Sequence, residues 1–156
     1  MPQYASSTEV PIDRSRAEIE RILARYGARR FMYGWDEDRA IIQFELHERR
    51  IRFVLPMPSL DAFRKTPTGR QRKGTVLNEA WEQALRQRWR ALALCIKAKL
   101  ESVESEIEEF EDAFMAQIVL PDNTTVGQRM KPGIAHAYET GTMPPLLPSG
   151  SPSGEK

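Results

Sequence analysis

Between residues 76 and 114, apolar side chains fall at Trp81, Leu85, Trp89, Leu92, Ile96, Leu100, Val103, Ile107, Phe110 and Phe114. Steps of three and four residues keep one side of an α-helix apolar along its length. The other faces change sign. Arg86, Arg88, Arg90, Lys97 and Lys99 make the first half basic, whereas residues 101–112 carry seven acids and no base. The pattern is longer than the ~25 residues usual for one globular helix, so a break is expected at 102–106, where the sign changes.

Upstream, Ile19, Ile22, Leu23 and Tyr26 recur at helical spacing. Asp13 suits an N-cap and Gly27 a C-terminal glycine, so residues 14–26 predict a short amphipathic helix. The period then changes to two. Phe31, Tyr33 and Trp35, then Ile42, Phe44 and Leu46, then Ile51, Phe53 and Leu55 alternate with other residues between short polar turns. Such runs predict an antiparallel meander, ended by Pro56 and Pro58. Downstream, Asp122-Asn123 supplies turn chemistry between Ile118-Val119-Leu120 and Thr124-Thr125-Val126, which predicts a small hairpin. Proline is welcome in a first helical turn. A last helix is therefore expected from Lys131 or Pro132 to Glu139, with Gly141 as terminator and Met143 to Pro148 extended.

These elements predict an α+β fold: an N-terminal helix, a three-stranded antiparallel meander, a long amphipathic helix with a break, then a small C-terminal hairpin and helix. Residues 1–12 read as a flexible arm, 13–148 as one domain and 149–156 as a disordered tail. Composition fits a single globular domain of 156 residues. The polar first 13 residues lack the apolar core of a secretion signal. No run of about 18 apolar residues is present, so no membrane partner and a cytoplasmic setting are expected. Cys95 is the single cysteine and excludes an internal disulfide. Lying between Leu94 and Ile96, it is expected as a small buried thiol.

A net charge of +1 decides nothing about partners, but its distribution does. The connection 59–75 contains Arg64, Lys65, Arg70, Arg72 and Lys73, with glycines at 69 and 74. From residue 62 to 99 there are ten Lys or Arg against Glu79 and Glu82. Flexible cations before a helix N-terminus suit phosphate. The candidate nucleic-acid contacts are Arg64, Lys65, Arg70, Arg72, Lys73, Arg86 and Arg90, with Arg50 and Arg52 on the wet face of their strand. Arg29 and Arg30 are weaker candidates. The glycine spacing is not that of a P-loop. The order helix, three strands, helix is also that of a double-stranded-RNA-binding domain, although the last helix is too long for one. Phe31, Tyr33 and Trp35 could stack on bases but read better as a core face.

Catalytic and metal chemistry is sparse. His47 and His136 are the only histidines, far apart and without zinc-ligand spacing. No nucleophile elbow is present, and the acids of 101–112 read as a solvated helix face. No enzyme activity and no cofactor are expected. The long stripe suggests a homodimer in which basic and acidic halves pair antiparallel. The rival to nucleic-acid binding is a protein-binding module that uses the long helix and the proline-rich arm 143–148.

Residues 86–100 (RQRWRALALCIKAKL), 110–120 with Phe114 and Ile118-Val119-Leu120, and 138–148 (YETGTMPPLLP) resemble a family of short uncharacterised phage and prophage proteins. Tyr26-Gly27-Ala28 and residues 51–56 (IRFVLP) are similar to the same family, so the resemblance spans most of 14–148. It implies a phage-derived protein in a host cytoplasm, with host or phage proteins as possible partners, and it implies no activity.

Overall fold

A computed structural model describes residues 9–145. Helix α1 (Ile12–Arg25) begins two residues earlier than expected. Pro11 holds the N-cap position, while Asp13 sits in the first turn and pairs with Arg16 at 3.0 Å. There it complements the positive helix end. Gly27, at φ +84°, ends the helix. Its N–H bonds to the Ala24 carbonyl and that of Ala28 bonds to the Leu23 carbonyl, the paired closure that requires a left-handed residue. The buried stripe is Ser15, Ile19 and Leu23.

Strands β1 (Arg29–Trp35), β2 (Arg39–Leu46) and β3 (Arg49–Pro56) form an antiparallel sheet in the order β1-β2-β3. The two-residue turn His47-Glu48 has φ of +49° and +60°, the backbone that matches the twist of a tight hairpin. Tyr33, Ile42 and Phe53 share one face, and Met32, Gln43 and Arg52 share the other. Ile42, Phe44, Ile51 and Phe53 on the first face pack with Ile19, Leu23, Trp89 and Ile96 from the helices. The expected aromatic core face on β1 is only partly realised. Tyr33 meets Trp89 at 5.4 Å with the rings tilted by 59°, but Trp35, stacked on Tyr33 at the edge, is 72% exposed.

Helix α2 (Gly74–Glu104) is 31 residues long. Leu77, Trp89, Leu92, Ala93, Ile96 and Leu100 are buried, with Trp81, Leu85 and Val103 half-buried. The first turns of the stripe are covered by the chain itself. The Trp81 indole N–H donates to the Pro58 carbonyl at 2.8 Å, and a 3-10 turn (Leu60–Phe63) packs against the helix. Cys95 corrects its expectation, being exposed. One helical step from Ile96 rotates it about 100° out of the core. Ile12 and Asp13 lie across a cleft from Glu82 and Arg86, and Tyr26 lies near Leu100 and Val103, so α1 and α2 run in the same direction. The Arg90–Glu18 ion pair at 2.6 Å joins them.

The helix breaks where the charge changes. Glu106 takes φ +56°, its N–H bonds to the Val103 carbonyl, and Ile107 N–H bonds to the Ser102 carbonyl. This is the closure seen at Gly27, with a glutamate in the left-handed position. Ile107 then lies beyond the helix and is exposed, against its place in the apolar rhythm. Helix α3 (Phe110–Phe114) returns the chain to the core, where Phe114 meets Phe53 edge-on at 6.3 Å.

The expected small hairpin is reduced to a single bridge, Val119 to Thr125, and a second bridge, Ile118 to Ile51, seats it on the outer edge of β3. The Asp122 carboxylate accepts bonds from the Thr124 hydroxyl and N–H and pairs with Arg129. These bonds, the hydroxyl first, lower its pKa to about 2. Helix α4 (Val126–Thr140) starts well before Lys131. Thr125 and Gln128 form a reciprocal capping box, so Pro132 lies inside the helix. Gly127 lets the first turn approach Ala116, whose carbonyl oxygen would stand 2.9 Å from a Cβ. No α4 residue is buried, and Tyr138 is 90% exposed. Of the expected arm and tail, residues 1–8 and 146–156 lie outside the described residues.

Candidate nucleic-acid interface

Residues 64–72 fold as an ordered hairpin rather than an open loop. Arg72 N–H bonds to the Arg64 carbonyl at 2.7 Å, and Thr66 N–H to the Arg70 carbonyl at 2.8 Å. Lys65 and Gln71 pair across it. Thr66-Pro67-Thr68-Gly69 is the turn, closed by Gly69 N–H to the Thr66 carbonyl, with Gly69 at φ +83°. Proline at the second position fixes φ, and glycine admits the left-handed backbone. The Thr66 hydroxyl also accepts from the Arg70 N–H at 3.0 Å.

The cations divide by what their side chains already hold. The Arg72 guanidinium donates to the Phe63 carbonyl at 3.3 Å and to that of Lys65, bracing the hairpin. Arg64 pairs with Asp61, and Arg86 bonds to the Gln83 side-chain oxygen at 2.7 Å. Arg90 is held by Glu18. Lys65, Arg70 and Lys73 are exposed, and no hydrogen bond or ion pair of their side chains is found among the described residues. Lys73 occupies the N-cap of α2. That helix start has no side-chain cap and no acid in its first turn, so its first N–H groups and its dipole add to the same positive field.

Arg50 and Arg52 belong elsewhere. The Arg52 guanidinium clamps the C-terminal hairpin, donating to the Asn123 carbonyl at 2.9 Å and side-chain oxygen at 2.7 Å, and to Gln43 at 3.1 Å. Arg50 stands opposite Glu45 on the outer face of the sheet, and Arg30 pairs with Glu45 at 2.8 Å. The basic hairpin lies against Ala80, Gln83, Ala84 and Gln87. Those positions are on the side of α2 opposite Leu85, Trp89 and Leu92. The nine candidates therefore occupy two sides of the molecule. Seven lie on the hairpin and α2, of which three are uncommitted.

Sequence reasoning missed the receiving surface. An open groove of about 560 Å³ separates the hairpin from α2, lined by Phe63, Lys65, Pro67 and Arg72 on one side and Ala80 and Ala84 on the other. The signal was present in the paired alanines, which leave the outward helix face low. Among the described residues, no group of three His, Cys, Asp or Glu could hold a metal ion, and no helix is long and apolar enough to cross a membrane. No protein-family model matches the chain, and no curated protein or solved structure matches it significantly.

Proposed function

We propose that the chain is a non-enzymatic, phage-derived accessory protein that binds nucleic acid through the phosphate backbone in a host cytoplasm. The observation that carries the binding is the basic hairpin. Lys65 and Arg70 on the preformed hairpin and Lys73 at the uncapped helix start stand exposed, with no side-chain partner among the described residues. Such an arrangement attracts phosphate with little sequence information. The phage origin rests on sequence resemblance alone. Fluorescence anisotropy with labelled DNA and RNA at low and moderate salt tests the binding. Saturable binding that weakens as salt rises supports it, and no binding at low salt refutes it.

A second reading has its own observation. Helix α4 buries none of its residues and presents Ile134 and Tyr138, followed by exposed Met143. An amphipathic helix with an apolar face in water suits a groove on another protein, such as a host defence or replication protein. Tyr138→Ala leaving nucleic-acid affinity unchanged while abolishing a partner complex would favour this reading for that surface.

A further inference from the structure

The groove between the hairpin and α2 has a composition that selects one kind of occupant. Ala80 and Ala84, one turn apart, give it a low apolar floor beside the amides of Gln83 and Gln87. The half-buried ring of Phe63 and the Pro67 ring contribute flat apolar walls. Its lining holds two cations, Lys65 and Arg72, and no carboxylate. Of the acids adjoining the lining in sequence, Asp61 is paired with Arg64, while Glu79 and Glu82 are exposed on α2 outside the lining. The free cations Arg70 and Lys73 continue the positive surface beyond the groove. A flat apolar group carried on a chain of phosphates complements each of these features.

We propose that the groove receives an unpaired nucleobase, so that the protein binds single-stranded nucleic acid in preference to duplex. This rests on the phosphate-binding function proposed above. The phosphates flanking the base meet Lys65, Arg70 and Lys73, while the base lies on the alanine floor against Phe63. Base stacking on aromatic side chains tolerates any sequence. A duplex must first extrude a base from its stack to offer the same group, which costs free energy that a single strand does not spend.

The test is anisotropy with a labelled oligothymidylate and with a duplex of equal length, each in DNA and RNA form. The parent is expected to bind the single strand about tenfold more tightly. Ala84→Trp fills the floor and leaves every cation in place. It should lower single-strand affinity to the duplex level without changing the salt dependence. Because a tryptophan there can displace the hairpin, the unmodified protein is also photo-crosslinked to an oligomer containing 4-thiothymidine. Crosslinks are expected within residues 63–67 or 80–87. Equal affinity for the two forms, an Ala84→Trp variant that keeps the single-strand preference, or crosslinks only outside those segments would overturn the inference and leave phosphate binding standing. Absence of binding to either form overturns both.

Discussion

Replacing Lys65, Arg70 and Lys73 together by alanine separates the uncommitted charges from the committed ones. Each cation that neutralises a phosphate releases a counterion and adds about 0.9 to the slope of log K against log salt on duplex DNA. Three such contacts account for a slope of about 2.7, equivalent to about a 40-fold loss of affinity between about 50 mM and about 200 mM salt. The triple variant should lose that dependence, approaching a flat line if these are the only phosphate contacts. None of the three side chains bonds to another group among the described residues, so the thermal midpoint should not fall.

Two controls give the slope its meaning. Arg90→Ala breaks a half-buried ion pair with Glu18; it should reduce stability and leave the slope unchanged. Arg72→Ala removes the brace to the Phe63 and Lys65 carbonyls. It should weaken binding about fivefold by loosening the hairpin, while lowering the slope by about one unit at most. Anisotropy titrations at several salt concentrations read all three. A triple variant with the parental slope would refute the reasoning, as would an Arg90→Ala variant that loses as much slope as the triple one.

Three further predictions concern the scaffold. Glu106 pays the cost of a left-handed backbone, about 1–2 kcal/mol for an L-residue, and glycine would return roughly 0.5–1 of it as unfolded-state entropy; Glu106→Gly should therefore raise the thermal midpoint by about 2–3 °C, and a fall would show that this closure is not strained. The Ser15 hydroxyl is fully buried without a hydrogen-bond partner, so Ser15→Ala should stabilise the fold by about 1 kcal/mol in urea denaturation, whereas destabilisation would reveal a partner for that hydroxyl. The pKa of Asp122 is lowered to about 2, chiefly by the Thr124 hydroxyl; a depressed acid lends stability that is complete above its ordinary value and is lost as pH falls from there through about 2, so amide protection factors at 118–129, taken relative to the intrinsic exchange rate at each pH, should fall over that window in the parent, and Asp122→Asn should remove the step.

The helical and alternating rhythms made α1, the meander and α2 legible, because each element buries one face and burial dictates period. The break at Glu106 was legible from charge and length together. The misses share a different cause. Cys95 was placed by its neighbours in sequence, yet Leu94 and Cys95 point away from Ile96 on a helix. Ile107 kept the apolar rhythm across a break that rhythm cannot see. At α4, the proline preference for a first turn was set above Thr125 and Gln128, whose two reciprocal bonds fix the start six residues before Pro132. Trp35 alternated correctly but lies at the end of an edge strand, where it stacks on Tyr33 and is otherwise open to water.

The division among the arginines was not legible at all, for a physical reason. Arg52 meets Asn123 and Arg90 meets Glu18 across 71 and 72 residues of chain, and no local pattern reports such partners. That division also explains why a basic hairpin can be a usable surface. Ordering a free loop on binding costs about 1–2 kcal/mol per residue, a sum that would cancel most of what a few phosphate contacts supply. Here the order is supplied during folding, by the backbone ladder of residues 64–72, the Thr66 hydroxyl and the Arg72 guanidinium. Spending Arg72 inward leaves fewer cations for a ligand. It also presents Lys65, Arg70 and Lys73 from a fixed frame, so that their contacts need not offset the entropy of making the loop.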